Sequence, residues 1–143
     1  MKIKIKRFDK SLPLPEYKTE GAAGIDLYTR EDTVINAHSF GNIPLNVAME
    51  IPKGTFVMLL ARSSTHKMGL MPANGVGIGD EDFKGDNDEY TFLVYNPTDE
   101  DVVLEKGDRV AQIILMNLER ADIEEVDHLD NIDRGGLGST GKK

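Results

Sequence analysis

Hydrophobic and polar positions alternate from the first residues. Ile3 and Ile5 are interleaved with Lys4 and Lys6, the period-two pattern of a half-buried strand whose lysines discourage edge pairing. Turn residues then recur at short intervals: Pro13, Pro15, Gly21, Gly24, Gly41, Pro44, Pro52 and Gly54. The apolar runs between and after them predict strands at Thr33–Ile35, Ile43–Ile51, Thr55–Leu60, Tyr90–Tyr95, Asp101–Leu104 and Arg109–Leu118, with a last one at Asp122–Val126. Arg109–Leu118 is apolar enough to be buried on both faces. A helix of a turn or two is predicted at Ser63–Met68, capped by Ser63 or Ser64. Many short strands with regular punctuation give an all-β sandwich or barrel rather than alternating strands and helices. No repeat or linker divides the chain. Residues 1–130 read as one β-domain, and 131–143 as its mobile, Gly-rich C-terminal tail.

Composition narrows the classes. A chain of 143 residues, 39% hydrophobic and 29% charged, is an ordinary globular domain. Its formal net charge of −8 repels a phosphate backbone, so no polymeric nucleic acid is expected as partner. No apolar run approaches a membrane span and the start lacks a signal-peptide core, so neither membrane nor export is expected. Cysteine is absent, which removes disulfides and thiolate chemistry and suits a reducing cytoplasm.

Three clusters carry candidate chemistry. Arg62-Ser63-Ser64 combines a guanidinium and two hydroxyls at a short helix start, a set that binds anions or merely caps the helix. Asn74 to Asp88 is rich in glycine and aspartate: its backbone can approach a flat ligand, and Asp80 can act as a general base; the alternative is an acidic hairpin. A calcium loop fails, because Lys84 would fall at a ligand position and Thr91 where a bidentate Glu belongs. The tail, with Arg134, Gly135, Gly136, Gly138, Ser139, Thr140 and Gly141, offers the donors that wrap a polyphosphate, or is simply a low-complexity terminus. It is no Walker A loop, since Lys143 stands where Ser or Thr is needed. His38, His66 and His128 follow no ligand spacing and read as surface or packing residues.

Taken in order, Gly21-Ala22-Ala23-Gly24-Ile25-Asp26-Leu27, Arg62-Ser63-Ser64, Asn74 to Gly85, Gly107-Asp108-Arg109-Val110-Ala111-Gln112 and Gly135 to Gly141 resemble the five motifs of the trimeric dUTPases, and in particular the short ones of Bacillus-type bacteria and their phages. The resemblance implies a jelly-roll-like β-barrel, a homotrimer with shared active sites, and hydrolysis of dUTP to dUMP and pyrophosphate, which limits uracil in DNA and supplies dUMP for thymidylate synthesis. It implies Asp80 as the base that activates water against the α-phosphorus and Gln112 as holder of the α-phosphate or that water. Arg62, Ser63 and Ser64 would bind phosphates, and Asn74, Gly77, Ile78 and Gly79 the uracil. Phe83 would lie under the deoxyribose and exclude ribonucleotides. Arg134, Gly138, Ser139 and Thr140 would close over the β- and γ-phosphates from another subunit. Asp26 would position Arg62. Mg2+ would come on the triphosphate and its waters, with no protein ligand. If the chain is phage-derived, a regulatory protein partner is also implied.

Some positions depart from the family pattern. Ala61 replaces a proline, Gly79 a branched aliphatic residue, Phe83 a tyrosine, and Leu137 the tail phenylalanine that lids the base. The changes at 61 and 79 are expected to loosen the uracil walls, and Tyr90 or Phe92 to supply the missing lid. Arg134 also adjoins the glycine pair, closer than the family's usual arginine. dCTP deaminases share the Arg-Ser-Ser segment but rely on a glutamate and usually lack the Gly-Ser-Thr-Gly ending. A non-catalytic binding protein is the rival of another class.

Overall fold

The computed structural model describes residues 2–136. Eleven strands run in chain order: β1 Lys4–Arg7, β2 Ile25–Tyr28, β3 Thr33–Ile35, β4 Phe40–Pro44, β5 Val47–Glu50, β6 Thr55–Ala61, β7 Met71–Pro72, β8 Gly77–Gly79, β9 Thr91–Tyr95, β10 Val102–Leu104 and β11 Arg109–Asn117. All pairings among them are antiparallel, in four small sheets ordered β1-β5, β10-β3, β2-β11-β6-β8 and β4-β9-β7. This is the expected all-β, jelly-roll-like architecture.

Alternation decides which side chains enter the core. In β6, Thr55, Val57 and Leu59 are buried while Phe56, Met58 and Leu60 are only half-buried. Val57 and Leu59 join Leu27, Ile35, Ile43, Leu45, Val47, Met49, Phe92, Val94 and Val110 in one continuous core. β11 is central, flanked by β2 and β6, as its apolar run predicts.

The predicted strand over Ile43–Ile51 is instead two, broken at Asn46, which adopts a left-handed conformation (φ 66°). Its amide side chain donates to the Asp9 carbonyl at 3.0 Å and accepts from the Asp9 N–H at 2.6 Å. These long-range bonds, between residues 37 positions apart, stabilise a turn that hydrophobicity alone does not reveal. The expected helix is one 3-10 turn, Thr65–Met68, and neither serine caps it. Thr65 braces the segment instead: its hydroxyl accepts from the Arg62 N–H (2.9 Å) and donates to the Val110 carbonyl (2.8 Å). The strand expected at Asp122–Val126 does not form. The segment pairs with no strand of its own chain, although outer strands such as β2 and β8 keep an unpaired side, and Ile123 stays 96% exposed. From Leu118 to Gly136 the chain has no regular structure.

Candidate active site

Two groups of the predicted residues assemble. The first collects where β2, β6 and β11 meet. Register places Gln112 opposite Asp26 on one side and Leu60 on the other, so the start of β11 faces the segment that follows β6. The Asp26 carboxylate, only 14% exposed, bridges two guanidiniums: Arg62 Nε donates to one oxygen at 2.8 Å, and Arg109 Nη1 to the other at 3.0 Å. Arg62 Nη1 also donates to the Arg109 carbonyl at 3.1 Å. One carboxylate fixing two arginines leaves a net positive charge held in a rigid frame, with Ser63 exposed beside it and Ser64 Oγ 3.4 Å from Arg62 Nη1. Gln112 Nε2 donates to the Ala61 carbonyl at 3.1 Å, and its Oε1 lies 2.4 Å from where a β-carbon on Gly24 would stand. A side chain at 24 would displace the Gln112 amide from this position.

The second group surrounds a cavity of about 240 Å³ between β8 and β9. Asn74, Gly77, Ile78, Gly79, Asp80 and Phe83 line one side, and Glu89 to Leu93 the other, with Leu59 behind. β8 pairs with β6, Gly77 opposite Leu59 and Gly79 opposite Val57. A tight turn follows: the Phe83 N–H donates to the Asp80 carbonyl at 3.1 Å, and the Asp88 carboxylate accepts from the Gly85 N–H at 2.6 Å. The turn returns Phe83 against Tyr90, edge to face at 5.3 Å. Beneath the cavity, Glu89 accepts from Arg30 Nε (2.8 Å) and from the Asn46 N–H (2.9 Å), which anchors the start of β9.

Two expectations about this cavity are corrected. Gly79 does not loosen the wall: the space a side chain would take holds the Tyr90 hydroxyl, 2.3 Å from the position of a β-carbon. Nor do Tyr90 and Phe92 form a lid, because both are buried in the core and line the inner wall. Tyr90, Arg109, Glu89 and Arg30 carry parts of these groups that sequence reasoning did not assign. Gly79 itself was the available signal for Tyr90, since a small residue in a packed wall needs a large one opposite.

The two groups are neighbours along β6. Leu59 lines the cavity opposite Gly77, three residues or roughly 10 Å before Arg62, and Leu60 pairs with Gln112; the far end of the cavity, Gly79 opposite Val57, is five residues or roughly 16 Å before Arg62. Arg134 is exposed in the extended C-terminal segment, and Leu137, Gly138, Ser139 and Thr140 lie outside the described residues.

These features define an all-β barrel that carries a cavity of about 240 Å³ and a positively charged guanidinium–hydroxyl cluster. The dUTPase family model matches residues 10–141, and the chain belongs to that family. It is 43% identical over 145 residues, covering all of both chains, to the SPbeta prophage-derived deoxyuridine 5'-triphosphate nucleotidohydrolase of Bacillus subtilis. The dUTPase of Streptococcus mutans superposes with a TM-score of 0.75 at 32% identity, over 82% of this chain and 98% of that one. The dUTPase of Staphylococcus bacteriophage 80alpha shares the fold at a TM-score of 0.85 and 20% identity, with 98% of each chain covered.

Proposed function

We propose that the protein hydrolyses dUTP to dUMP and pyrophosphate, with Asp80 as the base. The supporting observation is the cavity. Its volume of about 240 Å³ is below the roughly 300–1,000 Å³ of pockets that enclose a whole small ligand. It suits a pyrimidine and its sugar while the phosphates extend outside. The backbone of Gly77 to Gly79 and the Asn74 amide offer donors and acceptors to the uracil edge. Phe83, at the cavity mouth, stacks under the deoxyribose and leaves no room for a 2′-hydroxyl.

The Asp80 carboxylate takes a proton from water as the water oxygen bonds to the α-phosphorus. The bond from that phosphorus to the α,β-bridging oxygen breaks, and its electron pair leaves with pyrophosphate. Arg62, Ser63 and Ser64 hold the phosphates and stabilise the leaving charge, and Gln112 orients the α-phosphate or the water. Asp26 keeps Arg62 in place. Arg134, Gly138, Ser139 and Thr140 close over the β- and γ-phosphates. Magnesium held by the triphosphate and water would neutralise charge on the leaving group.

Membership of the dUTPase family, whose trimers share their active sites, supports a site completed by other copies of the chain. A second and a third copy supply what one chain lacks, in a homotrimer. Among the described residues no helix is long and apolar enough to cross a membrane.

Turnover of dUTP, dCTP, dTTP and UTP, offered separately with magnesium and with every product identified, tests this reading. Selective release of dUMP and pyrophosphate from dUTP is expected. Ammonia from dCTP would move the chain to the deaminases, and no turnover at all would leave a binding protein.

A further inference from the structure

The Tyr90 hydroxyl is anomalous. The residue is 4% exposed, and its oxygen has no hydrogen-bond partner among the described residues. A buried hydroxyl without a partner destabilises a fold, and phenylalanine would fill the same space without that cost. The position is also firmly set. The Tyr90 N–H donates to the Val47 carbonyl at 2.9 Å, and its carbonyl accepts from the Leu45 N–H at 3.0 Å. Glycine at 79 admits the hydroxyl into the cavity wall. Burial, with the Asp80 and Asp88 carboxylates nearby, pushes the phenol up to about 12, so it stays a neutral donor at any physiological pH. The adjoining cavity residues are Asp80 and Phe83, at the end assigned above to the sugar. Phe83 is the movable neighbour: it sits on a turn and is 38% exposed, whereas Gly79 is held by β-pairing and Tyr90 by its backbone bonds to Val47 and Leu45.

We propose that Tyr90 is a specificity-determining residue whose hydroxyl donates a hydrogen bond to the 3′-oxygen of the deoxyribose when Phe83 turns to stack on the sugar. The inference rests on the cavity being the nucleoside site. It gives the orphaned donor its acceptor, and it makes the wall read the sugar at a second position besides the 2′-carbon. Recognition of a substrate hydroxyl by a donor already stripped of water discriminates strongly against an analogue that lacks it.

The test is a cycle between enzyme and substrate: parent and Tyr90→Phe, each with dUTP and with 2′,3′-dideoxyuridine triphosphate. The parent should prefer dUTP, and Tyr90→Phe should lower kcat/KM for dUTP by about 5- to 100-fold while leaving the dideoxy substrate unchanged. Without ligand, Tyr90→Phe should melt at the parent's temperature or above it. Equal losses on both substrates, or no loss on either, would overturn the proposal. So would a variant melting several degrees lower, since the hydroxyl would then be bonded inside the fold. A parent inert toward dUTP would instead remove the functional reading on which the proposal stands.

Discussion

Substituting Gly79 by alanine places a β-carbon 2.3 Å from the Tyr90 hydroxyl oxygen, 2.6 Å from Cε1 and 2.8 Å from Cζ. Real β-carbons do not come so close, so either the ring or strand β8 must move. The ring has little freedom, because Tyr90 is bonded to Val47 and Leu45 through its backbone and leans on Phe83. Strand β8 is held by its pairing to β6. Overpacking of this kind costs about 1–3 kcal/mol, offset by about 0.4–1 kcal/mol because alanine narrows the unfolded ensemble. The net loss is at most about 2.6 kcal/mol and centres on about 1.3 kcal/mol, or roughly 3–6 °C in Tm for a domain of this size. Tyr90→Leu alone empties the same space and destabilises through a cavity. Combining the two lets alanine occupy part of what the ring vacates, so the double variant should be more stable than the sum of the single losses by about 1 kcal/mol. Denaturant midpoints for all four proteins, taken at one protein concentration because association adds to stability, measure the coupling. An alanine variant as stable as the parent, or strictly additive losses, would refute the view that residues 79 and 90 share one space.

Other outcomes follow from the same geometry. Asp80→Asn should lower kcat by about 10²- to 10⁴-fold while binding of a non-hydrolysable dUTP analogue changes little; a parent-like rate would remove Asp80 from the role of base. Asp26→Asn leaves two guanidiniums without their shared counter-charge, and a loss of about 1–2 kcal/mol is expected, discounted because Arg109 is 40% exposed; urea midpoints would show it. Deleting residues 134–143 should cut kcat/KM on the order of 100-fold with circular dichroism and Tm unchanged, and an unfolded product would make the tail structural. Alkaline titration gives a further check. Between pH 10 and about 12 the unfolded chain has released the Tyr90 proton and the folded chain has kept it. Stability should therefore fall with rising pH through this window, and the Tyr90 part of that fall should vanish in Tyr90→Phe.

Strands whose alternation faces a single core were legible from sequence, as at Lys4–Arg7, Thr55–Ala61 and Arg109–Asn117. Others were not. β7 and β8 are two and three residues long, too short for a period to register, and the break at Asn46 depends on hydrogen bonds to Asp9. Asp122–Val126 alternates like a strand but lacks a partner in its own chain, which a linear pattern cannot report. In the site, the Asn74 to Phe83 segment and the Asp26–Arg62 contact follow from motif order. The second arginine on Asp26, the Glu89 anchor and the Tyr90 insertion required knowing which strands lie side by side.

The proposed sharing of sites between copies also has a kinetic consequence. If each site draws its phosphate-holding groups from another copy, a solitary chain would be enzymatically silent. Activity would then rise more steeply than linearly as protein accumulates, until assembly is complete. A newly made chain would spare the nucleotide pool until it finds its companions, and two differently inactivated chains would restore one another when mixed.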